Sequence, residues 1–386
     1  MRLLNAILLI CAFSGWLEAQ QHLVLLSVDG LDHRYLRDCD KLGLKIPSLR
    51  RLMREGEWAN GVVGEVPTIT WPLHTTMITG VPPSVHGIEQ NQLWDYSLIK
   101  VKTIWDELRA AKRTSAAVTW PVTVNAPVTW NVPEYFEKRQ GGGMDLAAIR
   151  KKATPGLIDE ITSAYPSFSQ QWVDDRTRTL AALFLLQKHP DFLAIHLADL
   201  DSEEHETTPF SVESKAILEY TDELIGRILA ALPKDTVLAL VSDHGFVPVD
   251  KTVHPPVGTV TPFMVSTSDP EVAGRLENLR QDPANGIGRK IPGAEWKRFQ
   301  PSKPEPLAAY EPADQFLFSP QPTDGPYGKP REIGTHGLWP GRPDYRSVFL
   351  LWGPGIKPRK TPEISMLEIY PRLKQILALR EASAYR

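Results

Sequence analysis

Five short apolar runs, each followed by a helix-like stretch, limit what this chain can fold into more than any other feature. They are "HLVLLSVDG" (22–30), "TSAAVTW" (114–120), "DFLAIHLADLD" (191–201), "TVLALVSDHG" (236–245) and "RSVFLLWGPG" (346–355). Between them lie "IPSLRRLMREGEW" (46–58), "TIWDELRAAK" (103–112), "DDRTRTLAALFLLQKH" (174–189) and "VESKAILEYTDELIGRILAAL" (212–232). "SMLEIYPRLKQILAL" (365–379) is expected to close the fold as a last helix. Near-continuous apolar strands alternating with amphipathic helices predict an α/β fold, a mostly parallel central sheet with helices on both faces. Such a sheet needs a large core, and 386 residues that are 42% hydrophobic supply one.

Residues 246–332 break this rhythm. "PVDKTVHPPVGTVTPFMV", "KPEPLAAYEPADQF" and "SPQPTDGPYGKP" are rich in Pro and Gly and hold only short apolar pieces. The expected organisation is a signal peptide (1–20), a first part of a catalytic core (21–245), a cap insertion (246–332) and the rest of the core (333–386). The signal peptide rests on "MRLLNAILLICAFSGWLEAQQ", with one early arginine, a short apolar run and Ala19 near a cleavage point. That run is short for a membrane span, so a secreted or periplasmic protein without a stable span after signal removal is expected. Bulky Ile10 argues against a lipid anchor on Cys11, and without the signal only Cys39 remains, leaving no internal disulfide. A net charge of −3 provides no basic footprint for a nucleic-acid scaffold.

Chemistry gathers where the apolar runs end. Three finish in acids or an Asp-His pair: Asp29, then Asp199 and Asp201, then Asp243 with His244. Open parallel sheets bind ligands just beyond those strand ends. A single aspartate there is an ordinary helix cap; three are harder to read as caps alone. In "DSEEH", Asp201 and His205 are four apart, so one helical turn brings both to one face. Asp243 and His244 would point to opposite faces of a regular strand, and they converge only if the strand ends there, which Gly245 permits. "GTHGL" adds His336 between two glycines. Mixed Asp and His donors without a thiolate suit zinc or another borderline divalent ion. In "PTITWPLHTTMITGVPPSVHGIEQN" (67–91), Thr70 precedes Trp71-Pro72, and proline favours the first helical turn. Thr70 then stands at a helix N-terminus that favours phosphate, unless it merely caps the helix. A threonine hydroxyl is a poor nucleophile at neutral pH, and metal coordination would activate it.

Taken in order, these motifs resemble the alkaline phosphatase superfamily, and within it the nucleotide pyrophosphatase/phosphodiesterase branch, from "LLSVDG" to the last helix. The resemblance implies that Thr70 is the nucleophile and that Asn91 hydrogen-bonds a phosphoryl oxygen. It implies two divalent metal ions, expected as Zn2+. Asp201, His205 and His336 would hold one, and Asp29, Thr70, Asp243 and His244 the other. The implied reaction is hydrolysis of a small-molecule phosphodiester, such as a nucleotide, through a phosphothreonine. Trp71 would wall a slot for a flat leaving group, with Trp120-Pro121 as a second wall. His74 and His86 lie inside the motif and are read as structural.

Four departures leave these ligands intact and bear on substrate. Leu73 replaces the branch's usual asparagine, Glu204 a glycine, Asp199-Leu200-Asp201 a Glu-Pro-Asp, and Leu338-Trp339 a Tyr-Asp. No arginine stands out as a clamp for a phosphate dianion, which favours diesters. A phosphate monoester or a phosphonate is the alternative substrate. A non-catalytic metal-containing binding protein is the alternative of another class. The lack of a Cys or Ser in a C/S-x-P-x-R segment argues against a sulfatase.

Overall fold

The computed structural model describes residues 21–136, 145–168 and 173–379; the expected signal peptide lies outside them. All five apolar runs form strands: His22–Val28, Ser115–Val118, Phe192–Leu197, Thr236–Val241 and Phe349–Trp352. With three further strands they make an eight-stranded sheet. Its order is Arg359–Thr361, Glu57–Ala59, Phe349–Trp352, Thr236–Val241, His22–Val28, Phe192–Leu197, Ser115–Val118 and Trp130–Val132. His22–Val28 runs parallel to both neighbours, Phe192–Leu197 and Thr236–Val241. Phe349–Trp352 is antiparallel to the strands on either side of it, so the sheet is mostly parallel.

Helices cover both faces, as the unbroken apolar runs require. Successive side chains of a strand point to opposite faces. Leu23 and Leu25 therefore pack with Leu73 and Met77 of helix Thr70–Thr79 and with Ile104 and Leu108 of helix Ile104–Ala110. Val24, Leu26 and Val28 pack on the other side with Leu49 and Leu52 of helix Pro47–Glu55 and with Ile225 and Ile228 of helix Val212–Ala231. Truncating Leu25 or Leu26, both wholly buried, to alanine would cost roughly 2–5 kcal/mol. The expected last helix is a 3₁₀ turn, Met366–Glu368, running into helix Ile369–Ile376. Cys39 is a buried free thiol. Among the described residues no helix is long and apolar enough to cross a membrane.

Residues 246–332 carry more regular structure than their Pro and Gly content led us to expect. Thr259–Thr261, Met264–Thr267, Ile287–Lys290 and Ala308–Pro312 form a separate four-stranded antiparallel sheet. Val253, Val265, Leu276, Ile287, Tyr310 and Phe318 build a small core there. A second cluster joins this segment to the rest of the chain: Trp296 and Phe299 pack with Trp339 and with Val63 of the short strand Val62–Val63, outside the main sheet. Trp339, one of the departures noted above, stacks on Trp296 with centroids 5.8 Å apart and donates its indole N–H to Glu295 at 2.9 Å.

Candidate active site

Three adjacent parallel strands deliver most of the donors side by side. Asp29 follows His22–Val28, Asp243 and His244 follow Thr236–Val241, and helix Asp199–Thr207, carrying Asp201 and His205, follows Phe192–Leu197. His336 comes from outside the main sheet, directly after the two-residue strand Gly334–Thr335. Its approach depends on Gly334, where a Cβ would lie 1.9 Å from the Glu204 carbonyl oxygen.

Asp201 is the shared member. Its Oδ2 lies 3.6 Å from His205 Nε2, and its Oδ1 lies 3.7 Å from His336 Nε2 and 4.0 Å from His244 Nε2. His244 Nε2 is in turn 3.4 Å from Asp29 Oδ1 and 3.0 Å from Asp243 Oδ2. Among the described residues two groups could hold a metal ion: Asp201, His205 and His336, and Asp29, Asp201 and His244, each with donor atoms within 4.8 Å of one another. The first is the set expected from sequence. In the second, Asp201 takes part as well, and Asp243 adjoins it through His244.

Whether these residues suit cations can be read from their unmet hydrogen bonds. Asp29 Oδ1, Asp201 Oδ1, Asp243 Oδ2 and both ring nitrogens of His244 are buried without a hydrogen-bond partner. Buried polar atoms normally have one. Burial, then repulsion from Asp243 and Asp201, pushes the Asp29 carboxyl well up, and burial does the same to Asp201. Burial alone would raise Asp243 too, but His244 beside it drives it below the usual carboxylate range. Asp29 and Asp201, whose anions the pocket disfavours, are carboxyls that a cation would hold ionised. The histidines are oriented accordingly. His336 Nδ1 donates to the Thr68 carbonyl and His205 Nδ1 to the Gly334 carbonyl, both at 3.1 Å, which leaves each Nε2 lone pair for the cluster. Glu332 Oε2, 3.0 Å from His205 Nδ1, backs the same orientation.

Thr70 is the first residue of helix Thr70–Thr79 and is not its cap; that position is Ile69. Its segment is tied to the donors on both sides. Thr68 accepts from His336, and the Thr70 carbonyl accepts from His74 Nδ1 at 2.8 Å, a nitrogen 3.7 Å from Asp243 Oδ2. Because His74 Nδ1 carries the proton, Nε2 is left to accept from the Ser27 hydroxyl at 2.9 Å. Burial lowers the His74 pKa to about 3 and keeps the ring neutral. His86 closes the "HGI" turn: its Nδ1 accepts from the Ile88 N–H and its Nε2 faces the Pro72 carbonyl, each at 3.1 Å. Both histidines are buried and hydrogen-bonded within the motif, and neither belongs to either metal-capable group.

Asn91 is exposed, and its Oδ1 accepts the Trp71 backbone N–H at 3.0 Å. The two tryptophan walls need correction. Trp71 is only 2% exposed, lies edge-on beneath the half-buried Trp94, and donates its indole N–H to Glu134 Oε1 at 3.1 Å. Trp120 is wholly buried in the core below His74. Neither ring faces an open slot. Asp199 also stays outside the donor cluster: it accepts the Asp175 N–H at 3.0 Å and faces Arg178, holding the strand-to-helix turn.

Sequence reading passed over His196 and Glu134. His196 Nε2 lies 2.9 Å from Asp29 Oδ2, and its Nδ1 lies 3.1 Å from the Thr119 carbonyl and 3.3 Å from Glu134 Oε2. Burial alone would lower the His196 pKa; hydrogen bonding to Asp29 and Glu134 outweighs it and raises it to about 10. The available signal was a lone histidine in an otherwise apolar run, "FLAIHL".

The family model described as type I phosphodiesterase / nucleotide pyrophosphatase matches residues 23–263. Venom phosphodiesterase 2 of Crotalus adamanteus is 26% identical over 252 residues, 61% of this chain and 28% of that protein. Ectonucleotide pyrophosphatase/phosphodiesterase family member 1 of Rattus norvegicus is 26% identical over 235 residues, 58% of this chain and 24% of that protein. The chain thus aligns with about a quarter of the length of these curated relatives. Among solved structures, an inactive form of murine ectonucleotide pyrophosphatase / phosphodiesterase 5 in complex with AMP is similar with a TM-score of 0.63 and 15% identity. The match covers 93% of this chain and 96% of that one, a likeness of fold.

Proposed function

Because the chain belongs to the type I phosphodiesterase / nucleotide pyrophosphatase family, we propose that it hydrolyses small-molecule phosphodiesters, nucleotides foremost, with Thr70 as nucleophile. The observation that carries this reading is the convergence of unpartnered buried donor atoms from Asp29, Asp201, Asp243 and His244 beside the segment that carries Thr70.

Two divalent cations would be held there, one by Asp201, His205 and His336, the other by Asp29, Asp243, His244 and the Thr70 hydroxyl. The oxygen and nitrogen donors suit zinc. When bound, such cations lower the pKa of a hydroxyl group and offset charge on phosphoryl oxygens. The chain's own residues do the rest. Thr70 Oγ1 forms a bond to phosphorus as the bond to the leaving oxygen breaks on the opposite side, and the threonine proton ends on the departing alcohol. Water then cleaves the phosphothreonine, restoring the hydroxyl and releasing a phosphate monoester. Asn91, with its Oδ1 held by Trp71, keeps its amide N–H groups for a phosphoryl oxygen.

AMP in the murine relative supports a nucleotide substrate. The names of the venom and ecto-enzyme relatives support a secreted or periplasmic location. In this reading 246–332 is the cap. Phe263, in the turn before Met264–Thr267, lies so near Gly337, next to His336, that a Cβ there would be 2.6 Å from its ring.

The test compares kcat/KM of the zinc-loaded protein for thymidine 5′-(p-nitrophenyl phosphate) with that for p-nitrophenyl phosphate. A strong preference for the diester is expected, with turnover lost in Thr70→Ala while both zinc ions stay bound. Preference for the monoester would overturn the diesterase reading. Turnover that survived in Thr70→Ala would overturn the nucleophile.

A further inference from the structure

We propose that His196 and Glu134, neither of them a donor in the cluster, form one buried positioning pair that fixes Asp29 at one end and Trp71 and Asn91 at the other. The inference rests on the metal-site reading above.

Geometry carries it. His196 lies on the central sheet beside Ser27, two residues before Asp29 on the neighbouring strand. Its Nε2 is 2.9 Å from Asp29 Oδ2. With that oxygen engaged, Asp29 can turn only Oδ1 toward His244, and Oδ1 is the atom left without a partner. His196 thereby selects which carboxylate oxygen is free. On the far side of the ring, Nδ1 donates to the Thr119 carbonyl at 3.1 Å, and Glu134 Oε2, which makes no hydrogen bond of its own, stands 3.3 Å from the same nitrogen as an ion-pair contact. The other oxygen of Glu134 accepts the Trp71 indole N–H at 3.1 Å, and the Trp71 backbone N–H donates to Asn91 at 3.0 Å. An unbroken line of polar contacts, none longer than 3.3 Å, thus runs from a donor of the cluster to the residue proposed to hold the phosphoryl oxygen.

A stabilising role alone explains this arrangement poorly. A buried charged group is costly to desolvate, and ion pairs in a core add little stability over well-packed apolar residues. Outer partners that set the orientation of a metal ligand commonly change metal affinity about 10–100-fold when removed.

Two variants separate positioning from packing. In His196→Gln, the amide N–H can reach Asp29 from about where Nε2 stands; in His196→Asn, it can reach only Thr119 and Glu134. Zinc stoichiometry and affinity, measured by chelator competition on folded protein, are expected to differ between them. His196→Gln should stay within about threefold of the unsubstituted protein, and His196→Asn should bind one of two zinc ions about 10–100-fold more weakly. Glu134→Leu leaves Asp29 with its partner, so it should keep both ions and lower kcat about tenfold by releasing Trp71 and Asn91. Equal zinc affinity in His196→Gln and His196→Asn would overturn the inference. An unsubstituted protein that binds no divalent metal would instead overturn the metal-site reading beneath it.

Discussion

The imidazole rings of His244 and His336 lie face to face, with centroids 3.6 Å apart and 6° from parallel. They belong to different donor groups, His336 with Asp201 and His205, His244 with Asp29 and Asp201. Two imidazolium rings would repel at that distance, and the two histidines diverge. Burial, reinforced by the charge on His244, pushes His336 well below the usual histidine range. Burial works against His244 too, but Asp243 and Asp29 hold it up at about 9. A pair of bound cations would remove the need for that proton and satisfy the carboxylates around it. Stripping metal should therefore lower Tm, and zinc should restore it. At free zinc about 1,000 times Kd, one site adds about 4 kcal/mol. Calorimetry of chelated and zinc-loaded protein reads the difference, and identical transitions would argue against cation binding.

Asn91 offers a cleaner test of transition-state contacts. Its oxygen is fixed by the Trp71 backbone N–H, so its amide nitrogen is oriented before substrate arrives. Removing one preorganised donor typically costs about 10²–10³ in kcat. Asn91→Ala should show a loss of that order with zinc content unchanged, and lose only about 1 kcal/mol of stability for the bond to the Trp71 N–H. A change confined to KM would mean that Asn91 binds substrate and transition state equally.

Much of this site was legible in the sequence because its donors sit at strand ends, where a parallel sheet gathers ligands. Asp29, Asp243 and His244 could be placed that way, and the spacing in "DSEEH" joined Asp201 to His205. What the sequence hid were contacts between residues far apart in the chain. His196 is one polar residue in an apolar strand, and nothing local marks Glu134 as its partner. Trp71 beside Thr70 reads as a wall until Trp94 and Glu134 are seen to cover it. Thr259–Thr261 and Met264–Thr267 are short and mostly exposed, and Ala308–Pro312, though buried throughout, sits among prolines, so none of them showed a strand's alternation. Leu338-Trp339 reads as a substrate change, yet Trp339 is buried and packs on Trp296.

That contact predicts how the 246–332 segment is held. Trp339 is 5% exposed, stacked on Trp296, edge-on to Phe299 and hydrogen-bonded to Glu295. Trp339→Ala should cost about 3–5 kcal/mol in a urea titration. Trp339→Phe keeps a ring but loses the indole N–H, and should cost nearer 1 kcal/mol for the hydrogen bond alone. Limited proteolysis of Trp339→Ala should cut first within 246–332. Cleavage starting in the main sheet would show that the segment is anchored elsewhere.

Glu65 gives stability a pH dependence of definite sign. It is 3% exposed on the approach to Thr70, and burial raises its carboxyl from 4.5 to about 7, with Arg298 only partly offsetting the shift. Between those values the folded chain keeps a proton that the unfolded chain has released. Stability must then fall as pH rises from 4.5 to 7 and level off above, by roughly 3 kcal/mol across the window. Glu65→Gln lacks the titrating group, so its stability relative to the unsubstituted protein should improve by that amount from pH 4.5 to pH 7.5. Urea titrations of both proteins at the two pH values measure the difference directly. Curves that shift in parallel would mean that Glu65 ionises in the folded protein as readily as in the unfolded chain, which requires a cation closer to it than Arg298.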